Sequence, residues 1–279
     1  MSSLLRQHRG GVAFLQLGLE LGWLVAAVVL AVRYQSALSS LSVVTPALVF
    51  AVLMVGLMTF FLVSYFGVGL SRNPAHAHSL TTPLDDRIPF VAGSVWMYLW
   101  VFPCALIPLF VVRCPRLFRR TVIAYAAVMA ISFVSFTVFP VTSARLRVPK
   151  ATLDISSPSD SAVSILYSLD PPYNLFPSLH LSLAALAAFS VWKAAKPYAV
   201  AIFVSVGCLG ISVCTVKQHY LLDVLSGLAL AALANLMIIK RYRPMDGAAL
   251  TYSWRGPATY LVFVAILYAS FYTTYLWSL

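Results

Sequence analysis

The chain has 279 residues, 61% of them hydrophobic and 10% charged, with a mean hydropathy of +0.89. Its charge content is less than half that of an ordinary soluble domain, which excludes a water-soluble globular enzyme and specifies a polytopic integral membrane protein. The 19 Lys and Arg against 8 acids give a formal charge of +11; in a membrane chain this excess reports loop topology, and no nucleic-acid partner is expected.

Apolar runs long enough to cross a hydrocarbon core, which takes roughly 20 helical residues, fall at 12–32, 44–69, 89–112, 121–140, 177–194, 197–216, 220–239 and 258–278. The first follows MSSLLRQHRG and is too long for a signal-peptide core, so it reads as a retained span. The expected fold class is all-α, a polytopic membrane helical bundle with a six-helix core and about two additional terminal helices. N-terminal helices are expected over 1–83, the core over 84–243 and a C-terminal helix over 244–279. Cys104, Cys114, Cys208 and Cys214 show no CxxC spacing and no clustering with His, so neither a disulfide nor a metal site is expected from them.

Loop charge sets the orientation. The segments 33–43, 113–120, 193–196 and 240–257 carry Arg33, Arg113, Arg116, Arg119, Arg120, Lys193, Lys196, Lys240, Arg241, Arg243 and Arg255, with Asp246 as the single acid. The positive-inside rule places this set in the cytoplasm. The opposite face holds the long loops, SRNPAHAHSLTTPLDDRI at 71–88 and 141–176, together with the link Thr215–His219. The unusual polar residues gather there, where loops on a rigid scaffold carry chemistry.

An ionisable residue inside a membrane helix costs about 2.5–3.5 kcal/mol on insertion scales, so Glu20 and Asp223 call for a reason. Asp223 lies four residues after His219, which puts both side chains on one helix face. A carboxylate there can take the Nδ1 proton and leave Nε2 free as a nucleophile or base. The pair alone is equally compatible with a structural hydrogen bond or a proton relay. In PPYNLFPSLHLSLAALAAF, Pro177 begins a helix with Ser178 and His180 in its first turn. Such a helix end offers free N–H groups and a positive dipole to a phosphate, with Ser178 adding a hydroxyl and His180 an acid. An ordinary capped helix with an interfacial histidine reads the same way.

PSLH at 177–180, followed some forty residues on by HYLLD at 219–223, resembles the P-S-G-H and S-R-x5-H-x3-D signatures of the type-2 phosphatidic acid phosphatase superfamily. LDDRIPF at 84–90 is similar to members near the inositol phosphorylceramide and sphingomyelin synthase-like branch, and the similarity runs over roughly 84–240. The resemblance implies a six-helix phosphatase-like core, a phosphorylated lipid substrate, and no metal or other cofactor. It implies His219 as a nucleophile forming a phosphohistidine, Asp223 as its orienting carboxylate and His180 as the acid that protonates the leaving oxygen.

The chain departs from the family pattern at several positions. Leu179 replaces a glycine, Val213 stands where an arginine is usual, and Val138 and Leu146 replace the lysine and proline of the first signature, K-x6-R-P. Arg145 is the expected phosphate ligand, with Arg147 and Lys150 behind it, and Lys217 is a substitute for the missing arginine. Asp85, Asp86 and Arg87 are expected to be structural, and His76 and His78 lack metal-site partners. The expected function is a lipid phosphatase working at the extracytoplasmic face of a bacterial cytoplasmic membrane. A head-group or phosphoryl transferase is the alternative, and a transporter with a His–Asp relay a further one.

Overall fold

The structure is a computed structural model and describes residues 55–67, 77–243 and 254–278. The chain divides into two compact units; the described part of one is 60–67, 77–243 and 254–261, which holds the candidate site, and that of the other is 55–59 and 262–278. The expected helix at 12–32, Glu20 and His76 lie outside the described residues.

Helix α1 spans Val55–Gly67. A single turn, α2 (Pro83–Arg87), follows, and then a segmented span made of a 3-10 turn at Ala92–Ser94, α3 (Val95–Tyr98) and α4 (Val101–Val111). Next come α5 (Pro115–Val138), α6 (Pro158–Leu169), α7 (Leu179–Ala194), α8 (Lys196–Thr215), α9 (Leu221–Ala234, continued by a π turn at Asn235–Ile239) and α10 (Arg255–Ser278). No β-strand occurs among the described residues, and the fold is the expected all-α membrane bundle. Among the described residues four helices, Ala92–Val111, Arg116–Val138, Lys196–Thr215 and Leu221–Ile239, are long and apolar enough to span a membrane.

Two expectations are corrected. The helix expected at 121–140 begins at Pro115, because a proline at the first helical position costs no hydrogen bond and the Arg-rich turn after it is compatible with helix. The stretch 141–176 contains α6, whose Val163, Leu166 and Tyr167 are buried on one face at i, i+3, i+4. A search for long apolar runs passes over such a short amphipathic helix.

Helix α7 is the centre of the bundle and packs against α4, α5, α8 and α9. Its Ala184, Ala185, Ala187 and Ala188 are buried, as are Ser182 and Ser190. Small residues let neighbouring backbones come close, the main way helices gain contact where lipid removes the hydrophobic drive. Outward-facing stripes are apolar: Val200, Val204 and Ile211 on α8, and Leu222, Leu225, Leu233 and Leu236 on α9, are exposed. Side chains exposed at that spacing suit a hydrocarbon surround.

The helix ends alternate so that 77–91, 139–178 and 215–221 lie at one end of the bundle. Isolated parallel bridges, His78 with Val141 and Val141 with Asn174, pin three loops side by side. Val141, Leu175 and Tyr220 form a small buried cluster beneath them, and the Tyr220 hydroxyl reaches Thr142 O at 3.1 Å and Ser79 Oγ at 2.9 Å. At the other end, Arg120 donates to Ile238 O at 2.9 Å, placing a cation on the negative end of α9 and its π turn.

Candidate active site

The chain leaves α8 through a Schellman turn. Lys217 N–H bonds Cys214 O at 3.1 Å and Gln218 N–H bonds Val213 O at 3.0 Å, with Lys217 at φ +57°. His219 N–H shares the same Val213 carbonyl at 3.1 Å. This reversal sets His219 just ahead of α9. Tyr220 is the cap of α9, and Asp223, on its first turn, returns its Oδ2 to Tyr220 N–H at 2.9 Å.

His219 and Asp223 are both buried. Nδ1 of His219 faces Asp223 Oδ2 at 3.4 Å, an ion-pair separation rather than a closed hydrogen bond; among the described residues Nδ1 and Asp223 Oδ1 have no hydrogen-bond partner. On the other side of the ring, Nε2 meets His180 Nδ1 at 3.0 Å and Ser178 Oγ at 3.4 Å. With the proton of His219 on the nitrogen facing Asp223, Nε2 is an acceptor and His180 Nδ1–H is the donor.

His180 and Ser178 are placed by the start of α7. Ser178 caps that helix, its Oγ accepting from Leu181 N–H at 3.4 Å, and its own N–H binds Asp223 O at 3.0 Å. Ser182 Oγ donates to Ser178 O at 2.8 Å and approaches Gly227 O at 2.9 Å, tying α7 to α9. The N–H groups of Leu179 and His180 have no partner among the described residues, so the helix end presents free donors beside the imidazole pair.

The other expected phosphate ligands differ in their surroundings. Lys217 Nζ donates to the carbonyls of Asp85, at 3.2 Å, and Ile88. Arg147 spreads over three acceptors: Gln218 Oε1 at 2.9 Å, Tyr167 O at 3.0 Å and Asp170 O at 2.9 Å. Its guanidinium also stacks 4.9 Å over the Tyr167 ring. Burial pushes the Tyr167 phenol up to about 12, and it remains a donor, to Val216 O at 2.7 Å. Lys150 reaches Ser168 Oγ at 2.6 Å. Arg145 stands exposed in the turn 144–146, with no protein partner among the described residues. Val213, in place of the family's arginine, is fully buried.

Asp85 is buried and structural. Its Oδ2 accepts from Thr82 N at 2.8 Å and Thr82 Oγ1 at 2.6 Å, while Oδ1 caps α9 through Leu221 N–H at 2.8 Å. Asp86 and Arg87 are exposed. The His78 ring stacks on Phe139 at 4.5 Å.

Sequence reasoning missed Asp170, Tyr65, Tyr98 and Gln218. Asp170 is the C-cap of α6, where the helix dipole disfavours a carboxylate, and that misplaced charge was its one legible signal. Its side chain accepts from the Tyr65 hydroxyl, from Tyr98 OH at 3.3 Å and from Gln218 Nε2 at 3.2 Å.

Two imidazoles in contact, a carboxylate behind one of them and a helix N-terminus beside both make a site suited to moving a phosphoryl group. No curated protein and no solved structure matches the chain. A family model, the PAP2 superfamily, matches residues 73–237, more than half of the chain and inclusive of His180, His219 and Asp223. The chain belongs to the PAP2 superfamily, a family of lipid phosphatases and phosphotransferases.

Proposed function

We propose that this chain is a membrane-embedded lipid phosphatase that works through a phosphohistidine on His219. The lone pair of His219 Nε2 attacks phosphorus as the P–O bond to the lipid breaks. His180, protonated on both ring nitrogens at this stage, gives its Nδ1 proton to the departing oxygen and is left neutral. Asp223 stabilises the positive charge that develops on His219. Water then attacks phosphorus, the P–N bond breaks, and neutral His180 takes the water's proton. A lipid alcohol in place of water makes the same site a phosphotransferase of the sphingomyelin or inositol phosphorylceramide synthase type. The observation that carries this reading is the 3.0 Å approach of His180 Nδ1 to His219 Nε2, with Asp223 at 3.4 Å from the opposite nitrogen.

Phosphoryl oxygens are then held by Ser178 Oγ, the N–H groups at the start of α7 and the exposed Arg145 guanidinium. In the resting geometry the two imidazoles bond each other, so substrate entry must part them. A lipid substrate suits the groove of about 390 Å³ lined by Val63, Ser64, Gly67, Phe133, Val134, Thr137 and Val138, which has room for an acyl chain. Residues of both groove helices approach the site: Tyr65 through Asp170, and Ser135 through its bond to Phe176 O at 2.7 Å. The basic ends of α5, α7 and α8 lie opposite the histidines, which supports a site at the extracytoplasmic face.

The test is to trap acid-labile phosphate on the purified protein after mixing with labelled lipid phosphate. Wild type should carry the label on histidine, and His219→Ala should carry none. Full turnover by His219→Ala would sink the reading. Free phosphate as product marks hydrolysis; label on an added lipid alcohol marks transfer.

A further inference from the structure

We propose that Asp170 is the positioning residue for His180, acting through the hydroxyls of Tyr65 and Tyr98. This rests on the reading of His180 as the acid of the reaction. It also makes helix α1, which precedes the family-matched segment, part of the catalytic unit.

The His180 ring is held on three sides by other rings. Tyr98 packs edge to face at 5.5 Å and 64°, Tyr65 at 6.5 Å and 66°, and His219 at 5.3 Å and 77°. Both tyrosine hydroxyls end on the one carboxylate of Asp170. A tyrosine hinged only at its Cβ can swing; two tyrosines joined by a shared acceptor cannot move independently, and neither can the imidazole between them.

The carboxylate is itself immobilised. Gln218 Nε2 donates to it, Gln218 Oε1 accepts from Arg147, and Arg147 donates to the Asp170 backbone carbonyl. Gln218 is the neighbour of His219, so one network orders both histidines. Helix α1 is locked by the same loop: Asn174 Nδ2 donates to Tyr65 O at 2.7 Å. The arrangement accounts for a carboxylate at the C-terminus of α6, where the dipole opposes it.

Buried tyrosines need acceptors in any fold, so the test must separate positioning from stability. A general acid matters most for a basic leaving oxygen and little for a nitrophenolate. Turnover of short-chain phosphatidate and of 4-nitrophenyl phosphate is therefore compared for wild type, Asp170→Asn, Asp170→Glu, Tyr98→Phe and His180→Ala, with thermal unfolding followed in parallel. Asp170→Asn should lower kcat/KM on phosphatidate, which reports the P–O cleavage step, by about 10- to 100-fold, inside the range of general-acid contributions, and leave kcat/KM on the nitrophenyl ester within about threefold. Tyr98→Phe, which keeps the ring, should shift the same ratio less, and Asp170→Glu should restore part of it.

Equal losses on both substrates, or losses that follow the unfolded fraction, would overturn the proposal. If His180→Ala discriminates by leaving group and the Asp170 and Tyr98 variants do not, only this inference fails. If His180→Ala itself shows no discrimination, the acid role falls and this inference with it.

Discussion

Gly227 on α9 and Ser178 at the start of α7 meet backbone to backbone: a Cβ at position 227 would lie 2.4 Å from Ser178 O. No flexible side chain can yield there, because the obstructing atom is a carbonyl oxygen. The contact sets the separation of the two helices that carry the histidines, and Ser178 Oγ is only 3.4 Å from His219 Nε2. Gly227→Ala should therefore cost about 1–3 kcal/mol as an overpacked core substitution. It should also lower turnover beyond the fraction unfolded, because Ser178 and His180 are pushed off together. Gly210→Ala is the control: its Cβ would meet only side-chain atoms at 3.6 and 3.8 Å, and the change should be neutral or slightly stabilising. Thermal melts and lipid-phosphate turnover of both variants decide the matter. Equal behaviour of the two would show that the close contact does not set the site.

Asp223 serves both the helix and the histidine. As a cap it needs only an acceptor oxygen for Tyr220 N–H, and an amide supplies one. As a partner of His219 Nδ1 it needs its charge. Asp223→Asn should accordingly melt within a few degrees of wild type while kcat falls by about 1000-fold or more, the scale reached when the carboxylate behind a catalytic imidazole becomes an amide. A large loss of stability with kcat per folded molecule preserved would assign Asp223 to the helix cap alone.

The sequence and the fold agree where the physics is local. His219 stands just ahead of the cap of α9 and Asp223 on its first turn, so the four-residue spacing still brings them face to face. The helix expected to begin at Pro177 begins at Leu179 with Ser178 as its cap. What escaped was decided by tertiary contacts. Lys217 looked available for phosphate because its ammonium lies two residues from His219, yet a left-handed backbone turns it toward the 85–88 carbonyls. Arg147 looked like a loop cation and instead clamps three segments together. Asp170 shares its environment with Tyr65, more than a hundred residues away, and no spacing rule connects them.

Asp85 is the other carboxylate at the start of α9, reaching Leu221 N–H from a different segment. It also closes the turn at Thr82, so removing it orphans donors at both places. Asp85→Ala should destabilise by about 1–2 kcal/mol, the upper part of the range for a lost cap. Asp85→Asn, whose single carbonyl oxygen can serve only one of the two places, should recover part of that. Chemical or thermal unfolding of the pair checks it; matching losses in the two variants would mean that charge, not capping, is what α9 needs.

Lys217 and Arg145 give opposite expectations, and comparing them tests which cation meets the phosphate. Lys217 occupies the left-handed position of the Schellman turn, a conformation that costs a non-glycine residue roughly 1–2 kcal/mol. Its ammonium offsets this by bonding the carbonyls of Asp85 and Ile88. Lys217→Gly removes the backbone cost along with the tether, whereas Lys217→Met removes the tether alone. Lys217→Met should thus be the less stable of the two, with KM for lipid phosphate within about twofold of wild type once corrected for folded fraction. Arg145 is exposed in its turn and has no protein partner among the described residues to lose. Arg145→Ala should leave the melting temperature unchanged and lower kcat/KM by about 10- to 100-fold, equivalent to the 1.5–3 kcal/mol of a hydrogen bond to a charged group. Arg145→Lys should keep the charge but lose the two-pronged grip, and fall between. If KM rises in Lys217→Met and stays fixed in Arg145→Ala, the two roles are exchanged, and the ammonium must leave the 85–88 carbonyls when substrate arrives.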